Sequence, residues 1–145
     1  MMKDRNTNAG DNWKTPKSLY EELDREFHFD FDPCPYNEGE ITEENDGLKI
    51  EWGSCNFVNP PYSRKLKEAF IKKAIEMQYI GKTSVFLIPV STSTAIFHDH
   101  IKPNASEIRF LRGRVKFEGR NTKGEWVTNA CGMHDSMIVV FKGRE

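Results

Sequence analysis

Four consecutive residues of this chain, Asn59-Pro60-Pro61-Tyr62, carry groups suited to binding an amino group. Pro60 and Pro61 fix the backbone φ angle and have no N–H, so the turn presents acceptors, namely the Asn59 side-chain oxygen and backbone carbonyls. Tyr62 adds a flat aromatic face on which a ring bearing that amino group can stack. The four residues therefore predict a site for a planar aromatic amine.

Such a site can activate the amine as well as hold it. The lone pair of an exocyclic amine is delocalised into the ring of its base, which makes the nitrogen a poor nucleophile. Acceptors that take both amino hydrogens localise the lone pair and stabilise the positive charge that develops during attack on an activated methyl group. The alternative is that the two prolines only form a rigid turn, since Pro-Pro is common in loops.

The neighbouring residues place this turn at the carboxyl end of a strand. The apolar run CNFV, residues 55–58, predicts a strand that stops at Asn59, because a residue before proline is held extended. Ser63 can cap a helix that runs to about Gln78. The near-continuous apolar run TSVFLIPV, residues 83–90, is typical of a strand covered on both faces in a parallel sheet.

Further elements are predicted on both sides of this centre. Thr15 and Pro16 fit the N-cap and first position of a helix. The alternating FHFDFD, residues 27–32, predicts a strand that ends at Asp32. Two final strands, SEIRFLRGRVKFEG and SMIVVFKG, can pair antiparallel across a long loop. We therefore expect an α/β domain with a mainly parallel sheet of about five strands and a C-terminal antiparallel pair, binding ligands beyond the carboxyl ends of its strands.

Composition narrows the classes of function. The 145 residues fit a single domain, expected over residues 11–145 after a flexible segment 1–10. No apolar window approaches the roughly 18 residues of a membrane span, and the N-terminus lacks the apolar core of a signal peptide, so an intracellular protein is expected. Three cysteines without a CxxC pair, and His98 and His100 only two residues apart, predict neither a disulfide framework nor a metal site.

Charge is divided unevenly along the chain. Residues 1–51 contain 6 Lys/Arg and 14 Asp/Glu, whereas residues 52–145 contain 15 and 8. A basic second half can meet a polyanion, although a charge run is more often only a solvated face. Residues 102–123 are the most basic part, with seven Lys/Arg against Glu107 and Glu118. Charge alone therefore favours nucleic acid only weakly.

Six ordered blocks resemble a known family. DNWKTP, FHFDFDPCP, NDGLKIEW, CNFVNPPYS, VFLIPV and IRFLRGRVKF, which extend over about residues 11–141, are similar to the phage-type Dam family of DNA adenine-N6-methyltransferases. The resemblance implies a compact Rossmann-like methyltransferase fold, S-adenosylmethionine as cofactor and adenine-containing DNA as partner. Neither a membrane nor a metal ion is expected as a partner. It also implies a phage- or prophage-encoded protein that works in the bacterial host cytoplasm and protects DNA from restriction.

The resemblance also implies roles for individual residues. Asn59 and Pro60 would accept the N6 hydrogens, Pro61 would shape the turn, and Tyr62 would stack on the extruded adenine, whose other face Phe117 would cover. The implied cofactor-binding residues are Trp13, Thr15, Pro16, Asp32, Pro33, Cys34 and Asn59. With no separate recognition domain, DNA contacts are expected from loops of the basic region 109–129, at Arg112, Arg114, Lys116, Phe117, Arg120 and Lys123.

Two other functions remain open at the level of sequence. NPPY also occurs in methyltransferases that act on RNA or on protein glutamine, whose substrates likewise present a planar amine. A methyltransferase-like module that binds DNA without turnover is the other possibility. The absence of a Gly-rich loop after the first strand, where DPCPYNEG has only Gly39, favours that module, whereas the intact Asn59 to Tyr62 turn favours an enzyme.

Overall fold

Two β-sheets and two long helices make up the described structure. The computed structural model describes residues 13–131 and 134–145, so the predicted flexible segment 1–10 lies outside it. The elements in chain order are β1 (Trp13–Lys14), α1 (Lys17–Phe27), β2 (Cys55–Val58), α2 (Arg64–Tyr79), β3 (Thr83–Pro89), a π-helical segment (Ile96–Ile101) continuing into the single turn α3 (Lys102–Asn104), β4 (Glu107–Phe110), β5 (Lys116–Arg120), β6 (Trp126–Cys131) and β7 (Ser136–Phe141).

The larger sheet has the strand order β2-β3-β7-β4 and forms the centre of the molecule. β2 runs parallel to β3, whereas β7 runs antiparallel to both of its neighbours. All six side chains of β7 and the central five of β3 are buried. This sheet is covered on both faces, which explains why its two central strands are apolar at nearly every position.

Different elements cover the two faces of the larger sheet. On one face, α2 and the π-helical segment pack against the sheet through Phe70, Ile71 and Ile101. On the other face, Leu23 of α1 and Phe117 of β5 pack against alternate residues of the same strands.

Within the described ranges, no helix is long and apolar enough to cross a membrane.

The smaller sheet is antiparallel and has the order β1-β5-β6. In β1, Trp13 pairs with Gly119 and Lys14 pairs with Glu118 of β5. The predicted long loop between the last strands is therefore largely a hairpin, in which β6 pairs with β5 across a turn at Gly124 (φ 78°). A positive φ angle is favourable for glycine and uncommon for other residues, which explains the glycine at this turn.

The predicted mainly parallel five-stranded sheet of a Rossmann-like fold is wrong. β2 and β3 are the one parallel pair of strands in the described chain, extended by a single parallel bridge between Phe31 and Asn56. Apart from that bridge, residues 27–32 do not form the predicted strand, because α1 extends to Phe27 and His28 ends it in a left-handed conformation (φ 57°). The segment predicted as one strand over 106–119 divides at Gly113 (φ 73°) into β4 and β5, which belong to different sheets.

The helix starts show what local patterns did and did not predict. α2 begins directly after Ser63 and ends at Tyr79, which confirms its predicted range, although the Ser63 side chain makes no capping hydrogen bond. The predicted Thr15 cap is wrong, because α1 begins at Lys17 without a side-chain cap. The Thr15 hydroxyl instead accepts a hydrogen bond from Asn59.

Candidate functional site

A cleft of about 500 Å³ opens beside the carboxyl end of β2. Its walls come from β1, the first turns of α1, the segment after Phe31, and Glu118 of β5. The volume lies within the usual range of pockets for small organic ligands. The structure brings five of the seven predicted cofactor-binding residues to its walls, namely Trp13, Thr15, Asp32, Cys34 and Asn59.

The Asn59 side chain is held in one orientation by two hydrogen bonds. Its Nδ2 donates to the Trp13 carbonyl at 2.8 Å and to Thr15 Oγ1 at 3.0 Å. A backbone carbonyl can only accept, so the amino group of the amide must face β1. No residue of the described chain donates to Asn59 Oδ1. The remaining polar atom of Asn59 is therefore an acceptor, as an amine-binding site requires.

The two prolines of the predicted catalytic turn are less exposed than Asn59, whereas Tyr62 is half-buried like Asn59. Pro60 and Pro61 are both buried. The Tyr62 hydroxyl donates to the Leu87 carbonyl at 3.5 Å, and the ring packs edge-on against Phe117 with centroids 6.0 Å apart. Burial raises the pKa of Tyr62, so this side chain is a neutral phenol. Because the two rings contact each other, a base stacked between both would require them to move apart.

Asp32 supplies a carboxylate to the lining of the cleft. Its Oδ1 accepts a hydrogen bond from the Cys34 N–H at 2.8 Å. Burial raises the pKa of Asp32 to about 6, although that hydrogen bond opposes the shift. At neutral pH the group is a poorly hydrated carboxylate, which favours binding of a ligand that can donate hydrogen bonds.

Sequence reasoning missed the support behind Asp32. Pro33, which follows Asp32 in the chain, is approached closely by Gly47. A Cβ at position 47 would lie 1.9 Å from the Pro33 carbonyl oxygen. The Gly47 carbonyl also accepts a hydrogen bond from the buried Trp52 indole at 2.7 Å. The Asp46-Gly47 dipeptide and the tryptophan that follows in the block NDGLKIEW were the available signal.

Aromatic and charged side chains connect the mouth of the cleft to the smaller sheet. Tyr36 lines the cleft, and its hydroxyl donates to Glu38 at 2.8 Å. Arg120 donates to the same carboxylate at 2.6 Å and lies over the Trp126 ring. Burial, with a further contribution from Glu38, raises the pKa of Tyr36 to about 12. Residues 36–38 are thereby tied to β5 and β6.

The predicted DNA-binding residues differ in accessibility. Phe117 is buried beside Tyr62, whereas the cations are exposed. Arg114 faces Asp135 at 3.7 Å, and Arg120 is paired with Glu38. The side chains that have no acidic partner within the described chain are Arg112, Lys116 and Lys123. These three remain available to an anionic ligand.

A second basic segment escaped the sequence analysis. Residues 64–73, RKLKEAFIKK, contain five Lys/Arg and one Glu, and they follow Tyr62 almost directly. They form the first part of α2. The signal was the local charge density, which the count over the whole second half did not reveal.

Among the described residues, no group of three or more His, Cys, Asp or Glu side chains could hold a metal ion.

Comparison with known proteins gives the same family as the six sequence blocks. The family model described as DNA N-6-adenine-methyltransferase (Dam) matches residues 3–145. A curated DNA N-6-adenine-methyltransferase of Escherichia phage T1 is 35% identical over 109 residues, which are 70% of this chain and 44% of that relative. The chain thus spans less than half the length of that relative. No solved structure matches. The family predicted from the blocks is confirmed, and the chain belongs to the Dam family of DNA N-6-adenine-methyltransferases.

Proposed function

We propose that this chain transfers a methyl group from S-adenosylmethionine to the N6 amino group of adenine in DNA. The observation that carries the proposal is the orientation of Asn59, whose Nδ2 is held by Trp13 and Thr15 while Oδ1 accepts no hydrogen bond from the described residues. Family membership supports adenine in DNA as the substrate, as does the name of the phage T1 relative.

The cleft has groups that fit S-adenosylmethionine. One oxygen of Asp32 accepts from Cys34, and the other accepts no hydrogen bond within the described chain, so it can accept from the hydroxyl or amino groups of the cofactor. Trp13, Tyr20 and Tyr36 give the cleft aromatic walls. When bound, S-adenosylmethionine supplies a methyl group activated by its sulfonium centre.

The residues of the turn would prepare the amine for attack. Asn59 Oδ1 accepts one N6 hydrogen and the Pro60 carbonyl accepts the other, which localises the nitrogen lone pair. The same two acceptors stabilise the positive charge on nitrogen as the new carbon–nitrogen bond forms. The extra proton then leaves the methylated nitrogen to water, so a dedicated general base is not needed.

Adenine must leave the base stack to reach this turn. An amino group paired inside a duplex cannot enter a cleft, so the nucleotide has to be extruded, at a cost of a few kcal/mol in lost stacking and pairing. Exposed cations on and beside the smaller sheet, including Lys116, can hold the backbone meanwhile. Tyr62 and Phe117 would then have to separate if the base is to stack between them.

The test is methyl transfer from labelled S-adenosylmethionine to adenine-containing DNA. We expect label in N6-methyladenine with the wild-type chain and a roughly 10²- to 10³-fold lower kcat with Asn59→Ala, because one acceptor of the developing charge is lost. Asn104→Ala is the matched control, since Asn104 donates to the His100 carbonyl and lies beside Gln78 at the far end of α2. Full activity in Asn59→Ala would refute the role of Asn59. Label found only in RNA or in a glutamine peptide would refute DNA as the substrate.

A further inference from the structure

The first turns of α2 carry dense positive charge next to the proposed catalytic turn. Because α2 follows β2 after only five residues, its N-terminal end lies at the same edge of the larger sheet as Asn59. The outer side of this part of α2 forms an open groove of about 480 Å³. The residues that line the groove are Arg64, Lys65, Glu68, Ala69 and Lys72.

Lys67 differs from an ordinary surface lysine. It precedes the buried Phe70, Ile71 and Ala74 by three, four and seven residues, which places it on the core-facing stripe of α2. Its side chain is half-buried, and burial lowers the pKa of its amine. Within the described chain the ammonium group has neither a hydrogen-bond acceptor nor an acidic partner. A partly desolvated cation without a counterion favours binding of an anion.

The direction of the Lys67 side chain also bears on its role. Side chains of an α-helix lean toward the helix N-terminus. The N-terminus of α2 adjoins Ser63 and therefore the Asn59 to Tyr62 turn. An anion bound by Lys67 would consequently lie close to the substrate amine, rather than at the remote end of the helix.

Two arginines elsewhere already form ion pairs within the chain. Arg109 is paired with both Glu26 and Glu107, and Arg120 is paired with Glu38. Arg64 and Lys67, by contrast, have no ion pair in the part of the chain that the structure describes. Arg64 and Lys67 are therefore positive charges near the catalytic turn that no acidic side chain of the described residues neutralises.

We propose that Arg64 and Lys67 bind backbone phosphates of the DNA strand that carries the target adenine, beside the extruded nucleotide. This inference rests on the proposed function, because it takes DNA as the substrate. α2 and the smaller sheet lie on opposite faces of the larger sheet, with the Asn59 turn at the edge between them. Contacts from both sides would hold the backbone across that edge while the base enters the cleft.

The experiment compares two double variants in DNA binding without cofactor. Arg64→Gln/Lys67→Gln removes the two proposed contacts. Lys102→Gln/Lys142→Gln, the control, removes the same number of charges from exposed positions. Lys142 follows Phe141, which pairs with Ser84 near the start of β3 and therefore at the end of the sheet opposite to Asn59. Fluorescence anisotropy with a labelled duplex over a salt series gives the affinity and its slope against log salt concentration.

Two lost phosphate contacts should reduce that slope by about 2 and weaken binding roughly 60-fold at about 0.1 M salt, with the difference vanishing as salt approaches 1 M. The control pair should retain the wild-type slope. Lys67→Arg should restore most of the affinity that Lys67→Gln loses, because the charge is kept. Thermal unfolding of each variant checks that its fold is intact. The single variant Arg64→Gln, which loses one proposed phosphate contact, should show a slope reduced by about 1.

Each result decides between this inference and the proposed function. An unchanged slope in the Arg64→Gln/Lys67→Gln variant overturns the inference, as does an equal loss in the control pair, even if the wild type methylates DNA. Salt-dependent binding that requires Arg64 and Lys67, together with no methyl transfer to any DNA, supports the phosphate contacts and refutes the proposed function. Methylation that survives at saturating DNA in the variant supports a binding role for both residues.

Discussion

Acidification should weaken S-adenosylmethionine binding through one residue, Asp32. The pKa of this carboxyl is raised by burial to about 6 in the free protein. A cofactor hydroxyl or amino group that donates to Asp32 requires the carboxylate, so below about pH 6 binding must first remove a proton. Each further pH unit then costs about 1.4 kcal/mol, or a factor of ten in Kd. Between about pH 7.5 and pH 5, we expect Kd to rise roughly tenfold.

Titration calorimetry of S-adenosylmethionine binding across this pH range measures the effect. Asp32→Asn should give a flat profile, with binding at about pH 7.5 roughly 10- to 100-fold weaker than wild type, because a charge-assisted hydrogen bond is lost. Asp99→Asn, which changes an exposed carboxylate of the π-helical segment, should keep the wild-type profile. A wild-type Kd that is constant from pH 7.5 to 5 would show that Asp32 is not the group that binds the cofactor.

The same pKa shift predicts how stability without cofactor depends on pH. The folded state binds the Asp32 proton more tightly than the unfolded state, whose pKa is near 3.8. The ionised group therefore destabilises the fold fully above about pH 6 and not at all below about pH 4. The shift of about two units corresponds to at most about 3 kcal/mol. Urea unfolding should show Asp32→Asn more stable than wild type at about pH 7 and equal to it at about pH 4; an equal difference at both pH values would contradict this reasoning.

Substitutions at three positions test other parts of the site. Thr15→Val removes one acceptor that orients Asn59, so kcat should fall roughly tenfold while the Kd for S-adenosylmethionine changes less than about threefold; equal changes in both would contradict a positioning role. Gly47→Ala places a Cβ against the Pro33 carbonyl and should lower the unfolding free energy by about 2 kcal/mol or more and weaken cofactor binding, measured by urea unfolding and calorimetry. Tyr62→Phe should stay within about 1 kcal/mol of wild type and retain methylation, because its hydroxyl contact is long, whereas Tyr62→Ala should lose about 3–5 kcal/mol; a methylation defect in the phenylalanine variant would assign a role to the hydroxyl.

Features that depend on neighbouring residues could be predicted from the sequence. The strand CNFV, the start of α2 after Ser63 and the buried strand TSVFLIP are confirmed, because apolar runs and prolines act on the chain locally. The cleft beside the carboxyl end of β2 follows from the same signals. Of the predicted cofactor-binding residues that line the cleft, these elements position Asn59, whereas Trp13 and Thr15 are brought there by β1.

Most of the strand pairing could not be predicted in this way, although the predicted antiparallel pairing of the last two strands is found between β4 and β7. Buried strands look alike whether their neighbours run parallel or antiparallel, and β7 lies between β3 and β4 in antiparallel orientation to both. The division between β4 and β5 depends on a positive φ angle at Gly113, and a single glycine inside an apolar pattern is weak evidence for a break. Both errors concern contacts between residues that are distant in sequence.

Thr15 shows why the fold error and the site are connected. Thr-Pro before a charged helix satisfies the local pattern of an N-cap, yet the hydroxyl accepts from Asn59, 44 residues away. That contact exists because β1 pairs with β5 and so holds the Trp13 carbonyl and Thr15 beside the end of β2. The smaller sheet, which local patterns failed to predict, therefore orients the amide on which the proposed chemistry depends. Substitutions that loosen β1 from β5 should consequently impair catalysis before they impair the core.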